Sequence, residues 1–419
     1  MCDYSLGMRI GLDIRALQTR DGSGGRGIGR YVSDLLEGLL TYGPEHKVVL
    51  FTIEGRKPPH DWGRRCEVVP VDGLIFQEMA LPWFMKLPKF RSNQKLLGRY
   101  HAEAVASQRA AFERAVNGAK LDLLHLPTSV DVGSYPEGDF NAPVVMTFLD
   151  AIPLIDRTYL YDAWASFLQR HYDRQIANLK TAAAVVAISD ASRADAFRFG
   201  KLPPERTRTI YPSIPPAFGI PIDAKPTLEK YGIKDPYLLF CSVPDAHKNP
   251  LRVIEAFAQA KERLGPRKLV FVSPRGEPYE PRVLNAAKSN GLAEGDVIVT
   301  GRVSDEELVA IFQASECLVS PSLIEGFGLP AAQALAAGTP PIVSSRGSQP
   351  EVVGDAGIVV DPEDVPAIAQ AMIKMTNDHV YREQLVARGR EQAKRFVPER
   401  QARELLSLYE EVIRAPKTS

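Results

Sequence analysis

Short apolar runs alternate with amphipathic segments along almost the whole chain, and this alternation limits the folds that it can adopt. In the first half, runs such as KVVLFTI, APVVMTFLD and AAAVVAIS have strand character, and YVSDLLEGLLTYG has the spacing of a helix. The alternation restarts with YLLFCSV and continues to AGIVVDP. Strands that alternate with helices predict parallel, doubly wound sheets. We therefore expect an α/β protein with two similar halves.

A proline-rich segment separates the two halves. Residues 208–225 read RTIYPSIPPAFGIPIDAK, with four prolines and no helical period. Because a chain of 419 residues is too long for one ordinary core, we expect a first domain at residues 1–218, a linker at 219–236 and a second domain at 237–395. The closing segment, residues 396–419, predicts an amphipathic helix.

Charge and cysteine content argue against several classes of protein. Lysine plus arginine equals aspartate plus glutamate, at 51 each, whereas a protein whose main partner is nucleic acid needs a cationic excess. The four cysteines form no CxxC pair, which favours free thiols in a reducing compartment over metal or disulfides. MCDYSLG lacks the features of a signal peptide, and no apolar run approaches membrane-spanning length. We expect a cytoplasmic protein that binds neither nucleic acid nor metal.

Basic and aromatic side chains are interleaved between Met79 and Ala102, where five Lys or Arg residues occur without an acid. Two interpretations stay open for this segment. A solvated loop and helix face would have this composition. Alternatively, residues 83–99 form a surface that meets anionic lipid or a lipid-diphosphate acceptor, which would make the protein peripheral on the inner face of the membrane.

A glycine-rich loop follows the first predicted strand. It contains Gly22, Gly24, Gly25, Gly27 and Gly29, and it fits the G-x-G-x-x-G pattern of dinucleotide sites, although so many glycines satisfy many patterns by chance. A flexible surface turn is the alternative. We favour a ligand-binding loop, because glycine-rich loops at the carboxyl ends of parallel strands let the backbone approach a ligand ahead of a helix N-terminus.

A second glycine-punctuated loop occurs in SLIEGFGLPAAQALAAGTPPIV, residues 322–343, where Gly326 and Gly328 precede a helix of small residues. A diphosphate can bind at such a helix N-terminus. Glu325 would repel phosphate but can accept hydrogen bonds from sugar hydroxyls. Gln333, eight positions later, can also bond hydroxyls. The alternative is that both are merely solvated polar positions.

Several blocks of the sequence resemble, in the same order, those of retaining glycosyltransferase family 4. The longest is SLIEGFGLPAAQALAAGTPPIVSSRGSQPEVVGDAGIVVDP, in which EGFGLP is highly specific. The runs MRIGLDIRAL, TFLDAIPL, AISDASRAD, DAHKNPLRVIEAF and GRVSDEELVAIFQAS resemble other blocks, so the resemblance covers nearly the whole chain. It implies the GT-B fold, in which two Rossmann-like domains with parallel sheets face each other, and a C-terminal crossover helix.

The resemblance also implies an activity. Such enzymes transfer a sugar, with retention, from a nucleotide diphosphate sugar to an acceptor. The sequence is closest in character to mannosyl- and rhamnosyltransferases that build bacterial surface polysaccharides. We therefore expect a nucleotide-sugar donor, a saccharide acceptor that is lipid-linked, and no metal or other cofactor.

Site roles carry over where residues match. The resemblance implies that Glu325 contacts donor-sugar hydroxyls and that Lys248 neutralises the diphosphate leaving group, and we count Asp150 with them as catalytic. Gly25, Gly27 and Gly29 match the loop that faces donor and acceptor. The candidate donor-binding residues are Leu149, Ser242, Gly326, Phe327, Gly328, Leu329 and Gln333.

Three positions depart from the family pattern. Gln333 replaces a second glutamate that bonds the nucleotide ribose, and Val243 stands where many members place a diphosphate-binding arginine. Leu149 stands where many members have a histidine that contacts the C6 hydroxyl of the sugar. An apolar residue there favours a donor without that hydroxyl, such as a 6-deoxy sugar.

Two other functions remain open. Together, the three departures are also what a non-catalytic homologue would show, one that keeps the fold and acts as a binding or partner subunit. The first glycine loop alone allows an NAD-dependent oxidoreductase, which the motifs of the second half disfavour. Our leading hypothesis is a glycosyltransferase.

Overall fold

The protein consists of two compact units in a computed structural model. The first comprises residues 1–213 and 398–419, and the second comprises residues 214–397. The structure describes residues 7–18, 27–58, 60–72, 94–128, 138–158, 161–164, 166–234, 236–276 and 279–416.

The described part of the first unit contains a parallel sheet of seven strands in the order β3-β2-β1-β4-β5-β6-β7. Most of these strands are short apolar runs buried on both faces, as parallel strands covered by helices must be. The strands are β1 (Arg9–Asp13), β2 (Lys47–Ile53), β3 (Glu67–Val71), β4 (Leu123–Leu126), β5 (Val144–Phe148), β6 (Ala184–Ala187) and β7 (Thr207–Thr209). The helices between them are α1 (Gly27–Tyr42), α2 (Gln94–Gly118), α3 (Ile152–Ile155), α4 (Ser166–Asn178) and α5 (Asp190–Gly200).

The described part of the second unit contains a parallel sheet of six strands in the order β10-β9-β8-β11-β12-β13. Its strands are β8 (Tyr237–Cys241), β9 (Lys268–Val272), β10 (Val297–Val299), β11 (Cys317–Ser320), β12 (Pro341–Ser344) and β13 (Ile358–Val360). Its helices are α6 (Lys225–Lys230), α7 (Pro250–Leu264), α8 (Tyr279–Ser289), α9 (Asp305–Ala314), α10 (Leu329–Ala337), α11 (Gln349–Val353), α12 (Val365–Asn377) and α13 (His379–Ala393). The predicted parallel α/β halves are therefore present.

The segment between the halves belongs to the second unit. The sequence places the boundary after residue 218 and a linker at 219–236, but the structure places the boundary after Ser213, and the linker segment contains α6. Side-chain contacts explain this difference. Gln313 Nε2 donates to the carbonyls of Phe218 and Ile220, at 2.9 and 2.8 Å, and thereby ties the proline-rich segment to α9.

The closing helix, α14 (Pro398–Arg414), belongs to the first unit and packs on α1. It is fastened by a buried chain of four polar side chains. Tyr409 Oη lies 2.6 Å from His125 Nδ1, and His125 Nε2 lies 2.9 Å from Thr147 Oγ1. Thr147 Oγ1 lies 3.0 Å from the hydroxyl of Tyr31. Burial lowers the pKa of His125 to about 3, so the imidazole is neutral and one ring nitrogen donates while the other accepts.

We expect Tyr409→Phe to lower the free energy of unfolding by about 1–3 kcal/mol, because it leaves a buried nitrogen of His125 without its partner. Urea denaturation measures this change. Tyr42→Phe is the control, since Tyr42 is exposed and its loss is expected to change stability by less than about 0.5 kcal/mol. Equal stabilities of the two variants would contradict the role of the polar chain.

Candidate functional site

In the second sheet, the order in which the chain adds strands reverses between β8 and β11, which are adjacent and parallel. From β8 the chain runs to β9 on one side, and β11 lies on the other. Ligands of doubly wound sheets bind beyond the carboxyl ends of the strands at such a point. The segment after β8 carries Ser242 and Lys248, and the segment after β11 carries Glu325. Candidate residues distant in the sequence therefore meet at the expected place.

Lys248 and Glu325 form an ion pair at this point. The ammonium group of Lys248 donates to both carboxylate oxygens, at 2.7 and 2.6 Å, and Ser322 Oγ donates to one of them at 2.8 Å. The Glu325 side chain is 9% exposed and that of Lys248 is 21% exposed. A cation and an acceptor of hydrogen bonds are thus presented together in a partly buried site.

Asn249 fixes the position of Lys248. Its backbone is left-handed, with φ of +63°, which asparagine tolerates better than most residues. Its buried side-chain amide donates to the carbonyls of Pro321 and Pro362, at 3.0 and 2.6 Å. These bonds join the start of α7 to the segments that follow β11 and β13. No pattern in the sequence indicates this role for Asn249.

A tight loop after β12 supports Glu325 from behind. Ser348 Oγ donates to the carbonyl of Glu325 at 3.1 Å. Gly347 has φ of +63°, and a Cβ there would lie 2.9 Å from the carbonyl oxygen of Glu325. Gln349 is buried, accepts from the N–H of Ser344 and donates to the carbonyl of Ser320, which joins the ends of β11 and β12. This support, too, was not predicted.

Helix α10 begins directly after the loop that carries Glu325. Gly328 precedes it with φ of +91°, as the sequence predicts, and Leu329 is its first residue. Gly338 follows its last residue. The Phe327 side chain is buried against Phe396, with ring centroids 5.4 Å apart. Gly326 and Phe327 therefore have only their backbone available to a ligand.

Gln333 lies one turn inside α10 and is 6% exposed. Among the residues that the structure describes, its side-chain amide makes no hydrogen bond. A nearly buried amide with unused donors and acceptors is able to bind the hydroxyls of a ligand. This property agrees with the ribose-binding role that the resemblance implies.

In the first unit, Leu149 and Asp150 follow β5. Leu149 is buried, and its carbonyl accepts a hydrogen bond from Ser192 Oγ at 2.7 Å. Asp150 Oδ1 accepts from the N–H of Ile152 at 3.0 Å, which places Asp150 at the start of α3. The side chain of Leu149 offers no hydrogen bond to a sugar.

The glycine loop of the first unit ends earlier than the sequence predicts. Gly27 and Gly29 form the first turn of α1, with Gly29 on its buried face. The apolar period that begins at Val32 extends back to Gly29, so helix packing outweighs the low helix propensity of glycine. Gly25 lies outside the described residues, as does most of the basic segment at 83–99.

Neither a metal-binding cluster nor a membrane-spanning helix occurs among the described residues. Among them, no group of three or more His, Cys, Asp or Glu side chains is arranged to hold a metal ion. No helix within the same residues is long and apolar enough to cross a membrane.

Two family models match the chain. The model for glycosyl transferases group 1 matches residues 225–392, and the model for a glycosyl transferase 4-like domain matches residues 26–213. Together they cover most of the sequence, so both halves of the chain match glycosyltransferase domain models.

Named relatives are consistent with this family. An O-antigen chain mannosyltransferase B from Escherichia coli is 34% identical over 223 residues, which are 52% of this chain and 58% of that protein. The serotype-specific mannosyltransferase WbdA from Escherichia coli is 25% identical over 407 residues, which are 93% of this chain and 46% of that protein. The chain therefore spans about half the length of these curated relatives.

The fold is shared with solved structures. The crystal structure of Anabaena Alr3699/HepE in complex with UDP-glucose matches 96% of this chain and 100% of that chain, with a TM-score of 0.71 and 16% identity. At this identity the likeness shows the fold alone. The GT-B fold class, with two parallel-sheet units and a C-terminal helix, is confirmed.

We expect Gly347→Ala to destabilise the second unit by more than the roughly 1–2 kcal/mol that left-handed backbone costs an L-residue, because the new Cβ meets the backbone of Glu325. The matched control is Gly232→Ala, at φ of +68° with nothing within 4 Å of its Cβ. Thermal unfolding of both variants separates the contact from the strain. Equal losses would show that the loop does not press on Glu325.

Proposed function

We propose that this protein is a retaining glycosyltransferase that moves a hexose or 6-deoxyhexose from a nucleotide diphosphate sugar to a saccharide acceptor in the synthesis of a surface polysaccharide or glycan. The observation that carries the proposal is the contact of Lys248 with Glu325 beyond β8 and β11, where the strand order of the second sheet reverses. The mannosyltransferase names of the relatives support a mannose-like donor, and the UDP-glucose complex of a structural neighbour supports a nucleotide sugar. We also propose that the acceptor is lipid-linked, and this part of the proposal is supported only by the sequence resemblance.

Lys248 and Glu325 can act on opposite sides of the bond between sugar and phosphate that breaks during transfer. As the glycosidic bond to phosphate lengthens, negative charge grows on the diphosphate, and a preorganised ammonium group such as that of Lys248 stabilises it. Glu325 accepts hydrogen bonds from sugar hydroxyls. Without donor, the two groups hold each other in place, so neither side chain has to be ordered when the donor binds.

In this proposal, α10 binds the nucleotide end of the donor. The N–H groups in the first turn of this helix can donate hydrogen bonds to phosphate oxygens, and the amide of Gln333 can form hydrogen bonds with ribose hydroxyls. Lys248 and these N–H groups supply the positive potential that the leaving group needs, so the proposal requires neither a metal nor another cofactor.

We expect Lys248→Met and Glu325→Gln each to lower kcat/KM for the donor by about a hundredfold or more, as the loss of one preorganised electrostatic contact does in other enzymes. Transfer from a panel of GDP- and UDP-sugars to mannose oligosaccharides provides the assay. Lys261→Met is the matched control, because Lys261 forms a comparable ion pair with Asp296 in the same unit.

Three outcomes of this assay are informative. A large loss for Lys248→Met with little change for Lys261→Met supports the proposal. Equal losses would assign the effect to folding. If the wild type binds nucleoside diphosphates in calorimetry but transfers no sugar from any donor, the non-catalytic homologue becomes the better description.

Leu149 makes the choice of donor sugar testable. The resemblance implies that position 149 corresponds to the residue that contacts the C6 substituent, and a methyl group packs against leucine better than a hydroxyl without a partner. We expect a rhamnose donor to be preferred over a mannose donor, and Leu149→His to shift the preference toward mannose. Leu149→Met should leave the preference unchanged. A clear preference of the wild type for mannose would contradict the 6-deoxy hypothesis.

A further inference from the structure

The ion pair between Lys248 and Glu325 uses the groups that a nucleotide sugar needs. The ammonium group of Lys248 donates to both carboxylate oxygens of Glu325, at 2.7 and 2.6 Å, which takes up most of its donor capacity. Ser322 Oγ donates to one of the same oxygens at 2.8 Å. A diphosphate that binds Lys248 must therefore draw the ammonium group away from a carboxylate that holds it.

Glu325 is the fixed member of this pair. Its carbonyl accepts a hydrogen bond from Ser348 Oγ at 3.1 Å, and a Cβ at Gly347 would lie 2.9 Å from the same carbonyl oxygen. Its carboxylate is held by Ser322 Oγ, and the side chain is nearly buried. Rotation of the carboxylate away from Lys248 would break the bond to Ser322 in a closely packed environment.

Lys248 is the movable member. The buried amide of Asn249 anchors the chain directly after it, but its own ammonium group lies at the end of a long, flexible stem and is partly exposed. Among the residues that the structure describes, Glu325 is the only hydrogen-bond partner of this ammonium group. The group can therefore move toward a ligand once it gives up Glu325.

The cost of this movement differs between the donor and the product that transfer leaves. A donor sugar has hydroxyls that donate to the carboxylate, so Glu325 exchanges one set of hydrogen bonds for another. A nucleoside diphosphate has lost its sugar, and it leaves the carboxylate nearly buried without a cation, which is costly. The ion pair therefore opposes binding of the product more than binding of the donor.

We propose that Glu325 promotes product release: after the sugar has been transferred, Glu325 re-forms its ion pair with Lys248 and thereby lowers the affinity for the nucleoside diphosphate. This inference rests on the proposed function, which assigns Lys248 to the diphosphate and Glu325 to the sugar. It gives the carboxylate a second role in the same cycle. A site with the cation alone would hold the product more tightly, and turnover would be slower.

The test is a double-mutant cycle on the binding of GDP and UDP, measured by calorimetry. We expect Glu325→Gln to lower the Kd of the nucleoside diphosphate by about tenfold, because the competitor for Lys248 is lost. In a Lys248→Met background the same substitution should lower Kd by about twofold or less, since no ammonium group remains to be released. An equal gain in both backgrounds would show that Glu325 only repels the anion directly, and the release role would be wrong.

Glu363→Gln is the matched control and does not depend on the folding of the Lys248 variant. Glu363 lies in the same unit and pairs with Arg252 and Arg346. Its substitution removes the same charge as Glu325→Gln without touching Lys248, so we expect its Kd to stay within about twofold of the wild-type value. If the two variants tighten binding equally, the effect is one of overall charge and the inference is overturned.

Comparison of product and donor provides a further readout on the same variant. Glu325→Gln should tighten binding of the nucleoside diphosphate and weaken binding of the corresponding nucleotide sugar, because the sugar hydroxyls lose a charged acceptor. A reversal of this kind supports product release. A shift of both ligands in the same direction contradicts it.

Binding measurements also separate this inference from the proposed function. If the cycle shows the expected coupling but no donor supports transfer, the competition between Glu325 and the diphosphate stands and the proposed function fails. If sugar is transferred but Glu325→Gln does not tighten binding of the diphosphate, the release role fails and the proposed function stands. If neither the wild type nor Glu325→Gln binds GDP or UDP, both are overturned.

Discussion

The parallel pairing of β8 with β11 is the constraint on which the candidate site depends. Leu238 lies beside Cys317 and Leu239 beside Leu318, so the two strands end at the same edge of the sheet. Parallel neighbours are about 4.8 Å apart, and the segments that follow them therefore start within reach of each other. This pairing brings together Lys248 and Glu325, whose separation in sequence gives no hint of contact. The Asn249 and Ser348 bonds then fix what the strands have placed in proximity.

Much of the fold could be predicted because it depends on residue patterns that are local in the sequence. Apolar runs mark the buried strands of both sheets, and the glycine and proline of the EGFGLP loop mark where α10 begins. The specific block around Glu325 also located one half of the site. The roles carried over from the resemblance remain proposals, and the loop that contains Gly25 lies outside the described residues.

What sequence reasoning missed depends on contacts between distant segments. Asn249 looks like an ordinary residue before a proline, yet its amide joins two other loops. Gly347 resembles any turn glycine until its approach to Glu325 is seen. His125 sits in an apolar strand, and only the return of the chain in α14 supplies Tyr409 as its partner. The local sequence pattern does not indicate such contacts, because the sequence around each partner is compatible with many structures.

The departures from the family pattern are easier to understand as a set than singly. The pattern places an arginine and a lysine against two glutamates, and these four charges sum to zero. Here Val243 and Gln333 replace one cation and one anion, so Lys248 and Glu325 also sum to zero. With the arginine absent, a second glutamate would leave an excess negative charge that repels the diphosphate, so the loss of the glutamate offsets the loss of the arginine. Random loss of function does not require such balance. We therefore interpret the two changes as mutual compensation that keeps the site suited to a diphosphate.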